Sequence, residues 1–161
     1  MITKIISGGQ TGADRAALDS AIKHGIPHGG WIPKGRLAED SSLSVKYKLK
    51  EMPTSSYPAQ TEQNVIDSDG TLIISHGKRG GGADLTQKLA IKHGRPWLHI
   101  DLNQKKDHTD AAAKIKEWIV QEEIEVIHVA GPRASKDPHI YNKVMEILEL
   151  VYPEAIHGNK A

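Results

Sequence analysis

Short apolar runs and helical stripes alternate along this chain, and most changes from one period to the other fall at a glycine. Ile5 and Ile6 suit a buried strand, which breaks at Ser7 to Gly12 into a helix bearing Ala13, Ala16, Ala17 and Ala21. That helix is expected from about Ala13 to His24, with Gly25 just past its end. The segment HGIPHGGWIPKGR is turn-rich and has room for a short strand, whereas residues 37–58 keep neither period and read as an irregular loop with at most a strand or a helical turn. Thr61 is expected to cap a short helix through Ile66, and DGTLIIS, Asp69 to Ser75, is a buried strand. The glycine run in HGKRGGGAD then opens a helix with Leu85, Leu89 and Ala90 at helical spacing, closed by Gly94 and Pro96.

WLHIDL forms a fourth strand, and Thr109 with Asp110 is expected to cap a helix in which Ile115, Trp118 and Ile119 share a face. EVIHVAG is a fifth strand; after the turn GPRASKD, Asp137 at N-cap and Pro138 at N1 open a last helix whose stripe is Ile140, Val144, Ile147, Leu148 and Val151. Strands alternating with helices imply right-handed βαβ units. The expected fold is α/β, a three-layer open parallel sheet in a single domain over 1–161, with a tail from about Pro153 that looks dispensable.

Composition narrows the function. A chain of 161 residues can bury about two thirds of its unfolded surface in one core. Lys plus Arg at 21 against Asp plus Glu at 20 leaves a net charge of +1, so no global field draws the protein to nucleic acid or membrane. The absence of cysteine excludes disulfides, thiolate metal sites and thiol nucleophiles. No apolar run approaches the roughly 18 residues of a membrane span, and the first strand starts almost at Met1, so the expectation is a cytoplasmic protein without a signal peptide. Among the nine histidines there is no H-E-x-x-H pair, and His24 and His28, although spaced H-x-x-x-H, flank a Gly-Ile-Pro turn without a carboxylate, so no protein-ligated metal is expected. There is no G-x-S-x-G elbow.

The first glycine corner suggests an anion site, because the N–H groups of a helix's first turn lack intrahelical partners and sit at the positive end of its dipole. Two familiar phosphate motifs fit poorly: G-x-G-x-x-G through Gly9 and Gly12 would need glycine at Ser7, and a P-loop from Gly8 would need glycine at Ala13 followed by lysine. Three turns, after Ser7, Ser75 and Ala130, lie at the carboxyl edge of the expected sheet, where open α/β folds place ligands. They could bring four cations to one cleft: Arg15, Lys78, Arg79 and Arg133. Asp14 and Asp84 suit the first turns of their helices whatever the function; Asp14 could also orient Arg15 or accept from a heterocycle's N–H groups. Trp97 and Trp118 read as core residues, and Trp31 as either a cover for a planar ligand or a loop anchor.

SGGQTGADRAALDSAI, NVIDSDGTLIIS, the run Gly80 to Gly82 and VAGPRASKDPHIY together resemble the molybdenum cofactor carrier protein family over nearly the whole chain. The resemblance implies a Rossmann-like homo-oligomer that binds, stores and protects the molybdenum cofactor, or another phosphate-bearing small anion, without transforming it, and delivers it to molybdoenzymes. It implies ligand contacts from Gly8, Gly9, Gln10, Thr11 and Gly12, with Gly80, Gly81, Gly82 and Thr86 across the cleft; Ser75, at the second strand end, is a further candidate contact. Where similar sequences usually show Gly-Gly-Thr, this chain has Gly81, Gly82 and Ala83 and lacks that hydroxyl donor. The chain is also similar to the LOG-type phosphoribohydrolases, whose P-G-G-x-G-T-x-x-E loop aligns with RGGGADLTQ; the glutamate that would serve as acid or base is missing. A third likeness, of Ser7 to Asp14 to the S-G-x-A-x-G-x-D turn of the DNA-processing protein family, lacks the aromatic residues that single-strand stacking uses, which make up only 4% of the chain.

Overall fold

The computed structural model describes residues 1–77, 81–104 and 107–157, the last four of these by their backbone. Seven strands and five helices follow one another in the order β1 (Lys4–Ile6), α1 (Ala13–Lys23), β2 (His28–Gly29), β3 (Trp31–Ile32), β4 (Lys50–Glu51), α2 (Tyr57–Ile66), β5 (Gly70–Ser75), α3 (Gly81–Lys92), β6 (Trp97–Asp101), α4 (His108–Gln121), β7 (Val126–Ala130) and α5 (Ile140–His157). The five-stranded sheet runs β2-β1-β7-β5-β6 and is parallel throughout, while β3 and β4 form a separate parallel pair. This is the expected Rossmann-like α/β fold.

One sheet face packs on α1, α5 and α4, the other on α2 and α3. The main core lies on the first side, where Ile5, Leu72, Ile74, Ile100, Ile127 and Val129 meet alanines of α1, the Ile115–Trp118–Ile119 face of α4, and the stripe of α5. The α5 stripe is buried as its spacing predicted, and the helix continues through Pro153 to His157. A satellite core of Leu18, Ile32, Leu43, Tyr47 and Leu49 sits under the irregular segment.

Three helix starts differ from expectation. Helix α2 begins at Tyr57, four residues before Thr61: the Ser56 hydroxyl accepts from Ala59 N–H at 3.3 Å and Pro58 occupies the first turn, so Thr61 is a buried interior residue. Helix α4 is capped by Asp107, whose carboxylate accepts from Asp110 N–H at 3.0 Å. Asp137 and Pro138 form a turn ahead of α5, with Asp137 accepting from His139 N–H at 3.1 Å and the helix proper starting at Ile140.

The irregular segment is ordered by Arg36. Its guanidinium donates to the carbonyls of Leu43, Ser44, Tyr47 and Leu49 at 2.9–3.3 Å, giving these backbone acceptors the partners that a helix or sheet would supply elsewhere. Asp19 of α1 anchors the segment from below, accepting from the hydroxyls of Tyr47 at 2.6 Å and, from α5, Tyr141 at 2.5 Å.

Candidate functional site

Helix α1 carries the chain from β1 toward one edge of the sheet and α3 carries it from β5 toward the other, so a crevice opens over the carboxyl end of β7 between them. It holds a cleft of about 840 Å³ lined by Gln10, Asp14, Tyr57, Ser75, His76, Ala83, Gly131, Pro132, Arg133, Lys136, Asp137, Pro138 and His139. All three strand-end turns contribute. Arg133 and Lys136 make one wall basic, and Asp137 is held by His76, whose Nδ1 lies 2.5 Å from its Oδ2. Asp14 also faces the cleft. Burial pushes its carboxyl up to about 7, against the opposing pull of the Gln10 N–H and the Arg15 charge.

The first corner is satisfied from within. Gln10 N–H donates to Asp14 Oδ2 at 3.4 Å, Thr11 N–H to Gln10 Oε1 at 3.0 Å, and Ala13 N–H to the Pro132 carbonyl at 3.1 Å. Gly12 explains how the first and third turns come so close. It has φ +82, and a Cβ there would stand 2.4 Å from Pro132 O and 2.8 Å from Ala134 N, so only glycine allows the approach.

The irregular segment locks this junction through Glu39. Its N–H donates to Gln10 Oε1 at 2.8 Å, and its carboxylate accepts from Ser135 N–H at 3.0 Å, from the Ser135 hydroxyl at 2.6 Å and from the Thr11 hydroxyl. These donors, the Ser135 hydroxyl foremost, hold Glu39 below the usual carboxylate range. Thr11 in turn accepts from Ala134 N–H at 3.1 Å.

The residues singled out in the sequence are thus placed in different ways. Gln10, Ser75 and Arg133 line the cleft; the Ser75 hydroxyl donates to Gly77 O at 3.2 Å and lies 2.7 Å from His99 Nε2. Gly8 and the buried Thr86 line a small recess that shares Asp14, Tyr57, Ala83 and Gly131 with the cleft. Gly9, Thr11 and Gly12 build the corner behind the cleft without lining it, and a Cβ on Gly9 would meet Leu49 and Leu43 of the satellite core. Arg15 sits apart from the cleft lining: its guanidinium donates to Gly9 O at 3.1 Å and pairs with both oxygens of Asp40 at 3.1 and 3.3 Å. Gly81 and Gly82 start α3, while Lys78, Arg79 and Gly80 lie outside the described residues.

Sequence reasoning missed Lys136, His76, His139 and Asp137 as cleft groups, although three of them stand in the same GPRASKDPH stretch as Arg133. It also missed Tyr57 and Gln60, which come from α2; the Ser-Tyr-Pro start of that helix was the available signal. Trp31 lies off the cleft as a loop anchor, with its Nε1–H donating to Asp67 at 2.7 Å and Lys50 over its ring. His24 packs edge-on against Tyr152, and His28 Nε2 accepts from Lys48 N–H. Among the described residues no group of three or more potential metal ligands occurs, and no helix is long and apolar enough to cross a membrane.

No curated protein matches the chain. A solved structure described as "Putative molybdenum carrier protein" from Syntrophus aciditrophicus SB is 59% identical, superposes with a TM-score of 0.91, and is matched over 93% of this chain and 94% of that one. The strand order points the same way as the family comparison: counted from β7, the sheet follows the 3-2-1-4-5 order of a doubly wound fold with its starting point moved along the chain. Matched over residues 5–152, the chain belongs to the circularly permutated YpsA SLOG family.

Proposed function

We propose that this protein binds the molybdenum cofactor, shields it and hands it on to molybdoenzymes without transforming it. The observation that carries the proposal is the cleft itself, whose roughly 840 Å³ sits at the switch point between a basic wall and the N-terminus of α3. The cofactor's phosphate and oxo-metal dithiolene are both anionic, and a cleft with two separate electropositive regions suits such a ligand. Arg133 and Lys136 take the phosphate, Gln10 and Ser75 contribute polar contacts from the first two turns, and Lys78, Arg79, Gly80, Gly81, Gly82 and Thr86 supply the remaining contacts. Gly8, Gly9, Thr11 and Gly12 hold the corner in shape, and Arg15 supports it through Gly9 O and Asp40. The 59% identical structure described as a carrier supports this choice of ligand. The protein works in the cytoplasm, as a homo-oligomer.

The test is protection and transfer. Cofactor mixed with the protein outlasts unbound cofactor in air and restores activity to a cofactor-free molybdoenzyme; the double variant Arg133→Ala, Lys136→Ala retains it less well, and the wild type's retention weakens as salt rises. Equal decay with and without protein overturns the proposal. Nucleotide hydrolysis is the second reading, favoured by the His76–Asp137 pair in the same cleft, which could activate water. Sustained release of base from nucleoside monophosphates, lost in His76→Ala, would establish it.

A further inference from the structure

Beside the cleft lies a recess of about 20 Å³, room for one water-sized group, among Gly8, Asp14, Gln60, Asn64, Thr86 and His128. Gln60 Nε2 donates to Trp31 O at 2.9 Å, which fixes the orientation of the amide. Its Oε1 therefore remains an acceptor; it is buried and has no partner, in a side chain only 4% exposed. Asn64 is engaged with Trp31, its Nδ2 donating to Trp31 O and its Oδ1 accepting from Trp31 N–H. Gly8 lets the Gln60 amide and the Asp14 carboxylate approach each other at the recess: a Cβ there would fall 2.3 Å from Gln60 Nε2 and 3.0 Å from Asp14 Oδ2. A buried amide oxygen without a donor costs free energy that a ligand N–H would recover.

We propose that this recess reads the cyclic amidine edge of a heterocycle, the adjacent ring N–H and exocyclic amino group of a 2-amino-pyrimidin-4-one such as a pterin. The amino group, about the size of a water, enters the recess. Asp14 accepts from the ring N–H and one amino hydrogen, and Gln60 Oε1 accepts the other. The ring body stays in the larger cleft, with Tyr57, common to both spaces, as its aromatic wall. An adenine edge pairs its amino donor with a ring-nitrogen acceptor, which opposes an ionised Asp14. The inference rests on the carrier reading for where the rest of the ligand lies, and it assigns which end of the cofactor enters first.

The probes are pterin, its 2-oxo analogue lumazine and 4-hydroxypteridine, which lacks the 2-substituent, each titrated by intrinsic fluorescence against the full-length protein. Pterin is expected to bind at least about tenfold more tightly than either analogue, the effect of losing a hydrogen bond to a charged acceptor. Asp14→Asn and Gln60→Met each lower pterin affinity about tenfold and erase the preference over lumazine. The analogue series on the wild type decides the matter even where a variant fails to fold. Equal affinity for pterin and lumazine overturns the inference, as does a preference unchanged in both variants. If intact cofactor is protected from air while pterin and lumazine bind alike, the recess assignment alone falls; pterin preference without cofactor protection sinks the carrier function and leaves the recess standing.

Discussion

Replacing Asp14 by Asn should stabilise the protein, and only above acidic pH. Burial moves this carboxyl from its ordinary value of 3.8 up to about 7. The folded state then keeps a proton that the unfolded chain has released, so its contribution to stability is whole below about pH 4 and is lost as pH rises through about 7. At about 1.4 kcal/mol per pKa unit the full cost is about 4 kcal/mol. Asp14 retains part of its surface at the cleft, so water screening brings the expected figure to about 2–4 kcal/mol. Asparagine keeps the shape and the acceptor for Gln10 N–H. The variant should match the wild type near pH 4 and exceed it by about 2–4 kcal/mol at pH 8. His128 has the opposite sign: burial lowers it from 6.5 to about 4, so its contribution is whole above 6.5 and is lost as pH falls through about 4. The two slopes oppose each other between those values in the wild type, giving a flat profile that turns into a rise with pH in Asp14→Asn. Urea unfolding followed by circular dichroism from pH 4 to 8 measures both curves. A stability difference that stays constant across that range would refute the reasoning.

Gly12→Val forces a β-branched residue into φ +82 and against Pro132 O, so it should cost at least about 3 kcal/mol and lower the melting temperature; an unchanged melt would show that the first and third turns are not locked there. Arg36→Ala removes the donors of four segment carbonyls, so limited proteolysis should cut within residues 37–55 faster while far-ultraviolet dichroism of the main fold is preserved, and equal cleavage rates would count against Arg36 as the organiser. Light scattering at micromolar concentration should give a multiple of the 17.6 kDa chain mass, and a single-chain mass would exclude the homo-oligomer.

The sheet was legible because its strands are short apolar runs and its helices carry stripes: Ile73 in β5 and Val144, Ile147 and Leu148 in α5 are fully or almost fully buried. Helix starts were less so, since Thr61 and Ser56 are equally good caps in isolation and only Pro58, favourable in a first turn and disruptive later, separates them. The three turns meeting at one cleft followed from topology alone. The fate of each cation did not. Arg15 and Arg133 look alike in sequence, yet Asp40 is within reach of one and Glu39 only grazes the other at 3.8 Å, a difference set by how residues 37–58 fold back on the turns. Within it, residues 43–49 have no period because the Arg36 side chain, not a ladder, satisfies four of their carbonyls, and nothing in local sequence announces a side chain bonding in that way.

The two faces of the sheet divide the work. On β5, Leu72 and Ile74 point into the main core, while Thr71 and Ser75 lie on the opposite face; on β7, Ile127 and Val129 alternate in the same way with His128. The α2 and α3 side therefore buries Gln60, Thr61, Asn64, Thr71, Ser75, Thr86 and His128, a polar set that an ordinary core would exclude. Most of the apolar burial that holds the fold is gathered under α1, α4 and α5, so the polar side can keep costly groups such as the unpartnered Gln60 amide oxygen and the raised Asp14 carboxyl. Those are the groups at the recess, on the layer whose helix α3 starts at the cleft. If that division is functional, filling the polar side with apolar residues should raise stability and abolish ligand discrimination together, because the same unsatisfied groups account for both.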